Sequence, residues 1–443
     1  MIKESIKVVS ILGANGTMGR NIAAIFASFG SAQVYLISRT KEKSIQAKGK
    51  AYKSVRAESV KEKMIPADYS QLEECIRQSD LIFEACAESW DIKVRIHGMI
   101  ADALKQIDDD KPRILCTGTS GLSITGLAEL YPEQYQKMFM GMHFFNPPYQ
   151  MTLCELTPTC YTDRKVFDEV YAYGKDILFR TMVEVKDSPA FLGNRIGFQF
   201  INEALQTAET YKYNGGIDYI DAILGPFTGR AMAPLVTADF VGMDVHKAIV
   251  DNLYDNTCDY AHETFILPAF ADKLVKEDRL GRKTGEGLYK TILHDSGVKI
   301  RQVYDIEHDY YRNVMHYTFP FVEEMVSAFQ VGDYEQGFKA LISNRSQEAE
   351  LCCSFLLKYV LYSLEAAKDV GYDIHSADDV MAAGFNWCPP LAMIEALGGK
   401  ETFHDLCMER IGEDILGKIN LEELLEEAEP SRYDYRRFIK AKY

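Results

Sequence analysis

The 443-residue chain contains no apolar run approaching the roughly 18–20 residues that cross a bilayer, so no membrane span is expected. It has no Cys-x-x-Cys pair. Its ten cysteines are scattered apart from the adjacent Cys352-Cys353, which indicates neither a zinc site nor a disulfide framework. Free thiols in a reducing cytoplasm are the expectation, and no metal is called for. Positive charge is scarce: 49 Lys+Arg against 65 Asp+Glu leave a net −16, which argues against a general binder of nucleic acid or anionic membrane. Nor does the chain open on a signal-peptide pattern, because Met1-Ile2-Lys3-Glu4-Ser5 runs into a short apolar stretch that ends in glycines. At 47% hydrophobic the composition is that of a folded chain, and the length suggests two to four domains at roughly 100–200 residues each.

The first elements are legible. Val8-Val9-Ser10-Ile11-Leu12 reads as a buried strand, and a helical face runs from Asn21 to Phe29. Between them lie Gly13, Asn15, Gly16, Thr17, Met18 and Gly19. Glycines between a first strand and a first helix allow a tight turn and set a dinucleotide pyrophosphate on the helix N-terminus. The spacing is G-x-x-G-x-x-G, one residue longer than the usual G-x-G-x-x-G. Gln33 to Ser38 reads as the second strand, whose end faces the adenosine ribose. An NAD-binding chain typically carries Asp or Glu there; this one carries Ser38-Arg39. A carboxylate repels a 2′-phosphate and Arg or Ser binds one, so NADP(H) is favoured over NAD(H). From Arg39 to Lys63 nine basic residues stand against three acidic ones. This stretch is either a solvated helix face or a cradle for a polyphosphate. Leu81-Ile82-Phe83 and Ile114-Leu115-Cys116, with a helical stretch between, extend the alternation that implies a doubly wound, mainly parallel α/β sheet.

Candidate chemistry centres on His143-Phe144-Phe145-Asn146-Pro147-Pro148, followed by the strand-like Met151–Leu156. The Asn-Pro-Pro turn could bring the Glu155 carboxylate back to His143, and a carboxylate-oriented His is a suitable general base near neutral pH.

Five motifs then fall in order. They are H-F-F-N-P with Glu155 twelve positions after His143; Lys186–Arg195, close to D-x-P-G-F-x-x-N-R; Thr117–Ile124 around Ser120; Glu84-Ala85-Cys86-Ala87-Glu88 with Lys93; and Gly281–Tyr289, close to G-R-K-T-G-x-G-x-Y. Over its first 290 or so residues the chain resembles the L-3-hydroxyacyl-CoA dehydrogenase family. The resemblance implies that His143 is the general base and acid, oriented by Glu155, with Ser120 and Asn194 contacting substrate and Glu88 and Lys93 on the nicotinamide side of the cofactor. It implies an acyl-CoA-type substrate, with the basic stretch beside the CoA phosphates. Two departures, the longer glycine loop and Ser38-Arg39, fit NADP(H). A third, Gly118 where many members carry Asn, leaves the acyl group open. The alternative is a same-fold dehydrogenase of a non-CoA hydroxy acid, gulonate- or carnitine-dehydrogenase-like, and the basic stretch weighs against it.

The second half contains a repeat. Pro234–Gly242 and Pro390–Gly398 both read P-L-x-x-x-[DE]-x-x-G, each preceded by a helical stretch and an acidic segment, Ile217–Asp221 and Ser376–Val380. The expected organisation is a Rossmann domain over 1–188 and two related all-α domains, 189–295 and a degenerate copy at 308–443. The second copy could pair with the first as an internal pseudo-dimer, giving a monomer; a homodimer is the other possibility. Residues 419–443 read as a charged tail with no assignable role.

Overall fold

The computed structural model describes residues 6–107, 109–293 and 297–442. The chain divides into two compact units, Met1–Phe191 and Leu192–Tyr443. Among the described residues no helix is long and apolar enough to cross a membrane.

The first unit is built on eight strands: β1 (Val8–Leu12), β2 (Gln33–Ser38), β3 (Met64–Asp68), β4 (Leu81–Glu84), β5 (Ile114–Thr117), β6 (Phe139–Phe144), β7 (Leu153–Pro158) and β8 (Thr181–Glu184). They lie in the order β3-β2-β1-β4-β5-β6-β7-β8. Every pairing is parallel except β6 with β7. The short apolar runs of β4 and β5 are buried along their whole length, as strands covered on both faces must be. The order reverses at β1, which has β2 on one side and β4 on the other. Such a switch point, beyond the carboxyl ends of the strands, is where open α/β sheets bind their ligands.

In the second unit the long helix Gly193–Thr210 is followed by helices Ile217–Ile223 and Pro234–Val241. A second long helix, Gln347–Val370, is followed by His375–Val380 and Pro390–Ala396. The repeat seen in the sequence carries the same wiring twice. Asp221 accepts the backbone N–H of Leu235 at 2.8 Å, and Asp378 accepts that of Leu391 at 2.8 Å. Each caps the first turn of the helix that opens with Pro-Leu. The acidic residue inside each repeat then holds the segment that closes its copy. Asp239 accepts the N–H of Leu288 at 2.7 Å, and Glu395 accepts that of Ser431 at 3.0 Å. The closing segments also reach the capping carboxylates, Tyr289 through its hydroxyl to Asp221 at 2.6 Å and Ser431 through its hydroxyl to Asp378 at 2.5 Å. Burial pushes Asp221 up to about 7 and Asp239 and Asp378 up to about 6.

Two expectations change. The helical reading of 189–295 and the start of the second copy at 308 overlooked a three-stranded antiparallel sheet, β9 (Tyr289–Leu293), β10 (Lys299–Asp305) and β11 (Tyr310–Asn313). Its β-branched and aromatic residues at Ile292, Ile300, Val303 and Tyr304 pair across the ladder rather than along a helix face. The tail 419–443 is not without a role either: it contains the helix Leu421–Glu427 and then Ser431 and Tyr433, which bond Asp378 and Asp379.

The two copies share one core. Phe200 of the first meets Phe355, Tyr359 and Trp387 of the second at ring-centroid distances of 5.3, 5.9 and 5.4 Å. The Arg230 guanidinium lies 3.8 Å above Phe200 and 4.8 Å from the Trp387 ring. It donates through Nη1 to Thr228, and Nε and Nη2 have no hydrogen-bond partner, so the aromatic faces supply what a carboxylate otherwise would. Burial lowers Arg230 to about 10.

Candidate active site

The glycine loop leaves the end of β1 at the switch point. Gly13 adopts φ +78°, and a Cβ there would stand 2.5 Å from the Ala85 carbonyl oxygen; a Cβ on Gly19 would stand 2.5 Å from that of Gly13. Neither position accepts a side chain, which explains two of the three glycines. Gly16 is the N-cap of helix Thr17–Ser28, with extended backbone and no capping side chain. Asn15 is exposed on the loop, and in the first turn of the helix Thr17 is exposed and Met18 half-buried. An uncapped helix start at a switch point, approached by backbone alone, fits a dinucleotide pyrophosphate.

At the end of β2 the paired expectation for Ser38 and Arg39 divides. Ser38 is buried and its hydroxyl has no hydrogen-bond partner among the described residues. β2 ends at Ser38, and Arg39, the next residue, is exposed. Thr40 then caps helix Lys41–Val55, of which only Ser44, Ala47 and Ala51 are buried. Lys41, Lys50, Lys53 and Arg56 are exposed.

His143 and Glu155 face each other in the antiparallel register of β6 and β7. His143 Nδ1 lies 2.8 Å from Glu155 Oε2. Glu155 is fully buried and His143 nearly so, its ring 4.6 Å from that of Phe145 and 5.6 Å from that of Phe191. With Nδ1 directed at the carboxylate, Nε2 is the nitrogen left for proton transfer.

Ser120 sits in the loop after β5, which Glu88 brackets. Glu88 Oε1 accepts the Ser120 N–H at 2.8 Å and the Thr119 hydroxyl at 2.6 Å. Lys93 does not project into open space. Its Nζ is fully buried, donates to both oxygens of Glu84 at 3.0 and 2.9 Å, and lies 3.5 Å from Glu88. Burial alone would raise the Glu84 carboxyl and lower the Lys93 ammonium. The His97 ring and Lys93 outweigh it at Glu84, holding the carboxyl well below its ordinary range, and Glu84 and Glu88 outweigh it at Lys93, which ends above its own. A Cβ at Gly118 would stand 2.8 Å from the Phe83 ring, so a larger side chain there requires that ring to move.

In the second unit Asn194 is the second residue of helix Gly193–Thr210 and is buried. The next residue, Arg195, pairs with Asp259 at 2.8 Å and with Asp369 at 2.7 Å. Three residues that the sequence reading did not single out support the site: Glu84, Thr119 and Asp187. Asp187 accepts the Ile124 and Thr125 N–H groups at 3.0 and 2.8 Å, anchoring the end of the Ser120 loop.

Comparison with known proteins agrees with this layout. The family profile "3-hydroxyacyl-CoA dehydrogenase, NAD binding domain" matches residues 8–188, and "3-hydroxyacyl-CoA dehydrogenase, C-terminal domain" matches 191–291. A 3-hydroxybutyryl-CoA dehydrogenase of Clostridioides difficile is 33% identical over 63% of this chain and 98% of its own length. A probable 3-hydroxyacyl-CoA dehydrogenase of Bacillus subtilis is 27% identical over 97% of this chain and 55% of its own, so the chain spans about half of that relative. The crystal structure of a 3-hydroxybutyryl-CoA dehydrogenase from Escherichia coli K12 shares the fold over 95% of this chain and 99% of its own, with a TM-score of 0.68 at 20% identity. The family profiles and the Clostridioides relative, on top of the five motifs and the strand order, make this chain a member of the 3-hydroxyacyl-CoA dehydrogenase family.

Proposed function

We propose that the protein interconverts L-3-hydroxyacyl-CoA and 3-oxoacyl-CoA with a nicotinamide cofactor, NADP(H) in preference to NAD(H). The observation that carries this is the His143–Glu155 pair, a 2.8 Å contact built into strand register and buried at its carboxylate end. In the oxidative direction His143 Nε2 takes the proton of the 3-hydroxyl, and Glu155 fixes the tautomer and offsets the imidazolium charge. In the reductive direction the same nitrogen returns the proton. The nicotinamide, when bound, accepts or supplies the hydride. Ser120 and Asn194 orient the hydroxyl and the thioester carbonyl. Exposed Arg39 supports the NADP(H) preference, since it can pair with a 2′-phosphate, although Asp68 at the end of β3 lies in register with Ser38. The exposed basic residues of Lys41–Val55 support a cradle for CoA phosphates. The second helical copy, sharing the core of the first, supports an internal pseudo-dimer and a monomeric chain.

The test is the absorbance of the reduced nicotinamide with acetoacetyl-CoA, acetoacetate or dehydrocarnitine, each with NADH and with NADPH. The expected result is turnover of acetoacetyl-CoA alone, with the lower KM for NADPH. Turnover of acetoacetate or dehydrocarnitine without acetoacetyl-CoA would move the activity to a non-CoA substrate, and a lower KM for NADH would remove the NADP(H) preference.

A further inference from the structure

We infer that Glu84 is a positioning residue of the active site, setting the direction of Ser120 through Thr117, Lys93 and Glu88; the inference rests on the hydroxyacyl-CoA reading for the role of Ser120. Glu84 ends β4 and is fully buried. Its two oxygens collect donors from three separate segments: the Cys86 N–H at 2.6 Å, Lys93 Nζ at 3.0 and 2.9 Å, and the Thr117 hydroxyl at 2.7 Å. Thr117 is the last residue of β5, three before Ser120. The Thr119 N–H points back to the Thr117 hydroxyl at 3.4 Å, and the Gly118 N–H donates to the Glu84 carbonyl at 2.8 Å.

The other approach to Ser120 also leads to Glu84. Lys93 lies between Glu84 and Glu88, and Glu88 holds the Ser120 N–H and the Thr119 hydroxyl. The Thr119 hydroxyl oxygen in turn accepts the Leu122 N–H at 3.1 Å. One buried ammonium thus joins two carboxylates. One fixes the strand end before Ser120, and the other grips the Ser120 backbone itself.

A buried ion pair adds little to stability on balance, and an apolar replacement of similar shape often serves as well. What apolar side chains do not supply is direction. Glu84→Gln keeps the volume but leaves Lys93 facing a neutral amide, with Glu88 as its remaining counter-charge. Lys93 is then drawn toward Glu88, which competes with the Ser120 N–H for the same carboxylate. Loss of aim at a site built for near-attack geometry is felt in kcat before it is felt in binding.

The experiment combines a double-mutant cycle with amide exchange. Glu84→Gln, Ser120→Ala and the double variant are assayed with acetoacetyl-CoA, and hydrogen exchange of residues 117–123 is followed in each. The expected result for Glu84→Gln is a kcat lowered by about tenfold or more, since misaim of a reacting group costs up to about a hundredfold. The double variant is no slower than Ser120→Ala, and the Ser120 and Gly121 amides exchange faster in Glu84→Gln than in the wild type. Additive losses, or unchanged exchange over 117–123, would overturn the inference. Should the wild type not turn over acetoacetyl-CoA, the hydroxyacyl-CoA reading fails, while the exchange result still decides whether Glu84 sets the loop. Should Glu84→Gln not fold, Thr117→Val, which removes one hydroxyl from the chain of contacts and keeps the branched shape, decides the question by the same two readouts.

Discussion

At the residue scale the chemistry is concentrated in two side chains that strand register places face to face. In the proposed reaction Glu155 contributes orientation and charge and His143 moves the proton, and their 2.8 Å contact supports this. His143→Ala and Glu155→Gln are each expected to lower kcat by about a hundredfold or more, the lower range for loss of a general base, with the substrate KM little changed. Steady-state kinetics on acetoacetyl-CoA checks this. Arg39 makes a second prediction. Arg39→Ala raises the KM for NADPH about tenfold or more and leaves that for NADH unchanged, because a hydrogen bond to a charged group contributes about 1.5–3 kcal/mol. Much of this was legible from motif spacing alone, since twelve residues on two strands joined by a turn bring a His and a Glu together. The burial of Ser38 was not legible, because both faces of β2 are covered at its end, where Ile37 and Ser38 are alike buried. Glu84 was also hidden: an acidic residue after Leu81-Ile82-Phe83 reads as a strand end, and its partners, Lys93 and Thr117, come from elements that only the fold assembles.

At the scale of elements, the buried apolar strands β1, β2, β4 and β5 were readable because their runs are short, continuous and bounded by turn residues. The sheet β9–β11 was not, since its strands are half-exposed and mix charged with β-branched residues. The repeat was readable as a nine-residue pattern, and the fold explains why those letters recur. Each acidic position caps a helix or holds a closing segment, and three of these carboxyls lie above their ordinary value through burial.

That has a consequence for pH. Asp221, at about 7, and Asp239 and Asp378, at about 6, bind their protons more tightly in the folded chain than at the ordinary 3.8 of the unfolded one. Their contribution to stability is complete below about pH 4 and is lost as the pH rises through 6 and 7. Glu84 runs the other way: its contribution is present above its ordinary 4.5 and is lost as the pH falls below that. The thermal midpoint is therefore expected to fall between pH 5.5 and pH 8, and the fall should be shallower in Asp221→Asn. Scanning calorimetry across that range checks it, and an equal slope in the variant would remove Asp221 from the explanation.

At the scale of the whole molecule, a net charge of −16 coexists with a basic stretch over residues 39–63, the stretch proposed to hold the CoA phosphates. The length suggested two to four domains and the motifs suggested three. The two helical copies lie together in one compact unit, where Phe200, Phe355, Tyr359 and Trp387 make a common core around Arg230. Phe200→Ala is expected to cost about 3–5 kcal/mol, the range for truncating a buried aromatic, as measured by denaturant unfolding. Light scattering on the intact protein should give the mass of a single chain. A stable dimer would show that the second copy does not stand in for a partner subunit.

By this proposal His143 is the proton-transfer group of a hydroxyacyl-CoA dehydrogenase. Its most direct test is the rate of nicotinamide oxidation with acetoacetyl-CoA, wild type against His143→Ala, at saturating cofactor. The account predicts turnover by the wild type and a loss of about a hundredfold or more in the variant; a folded His143→Ala protein that keeps near-full rate would contradict it.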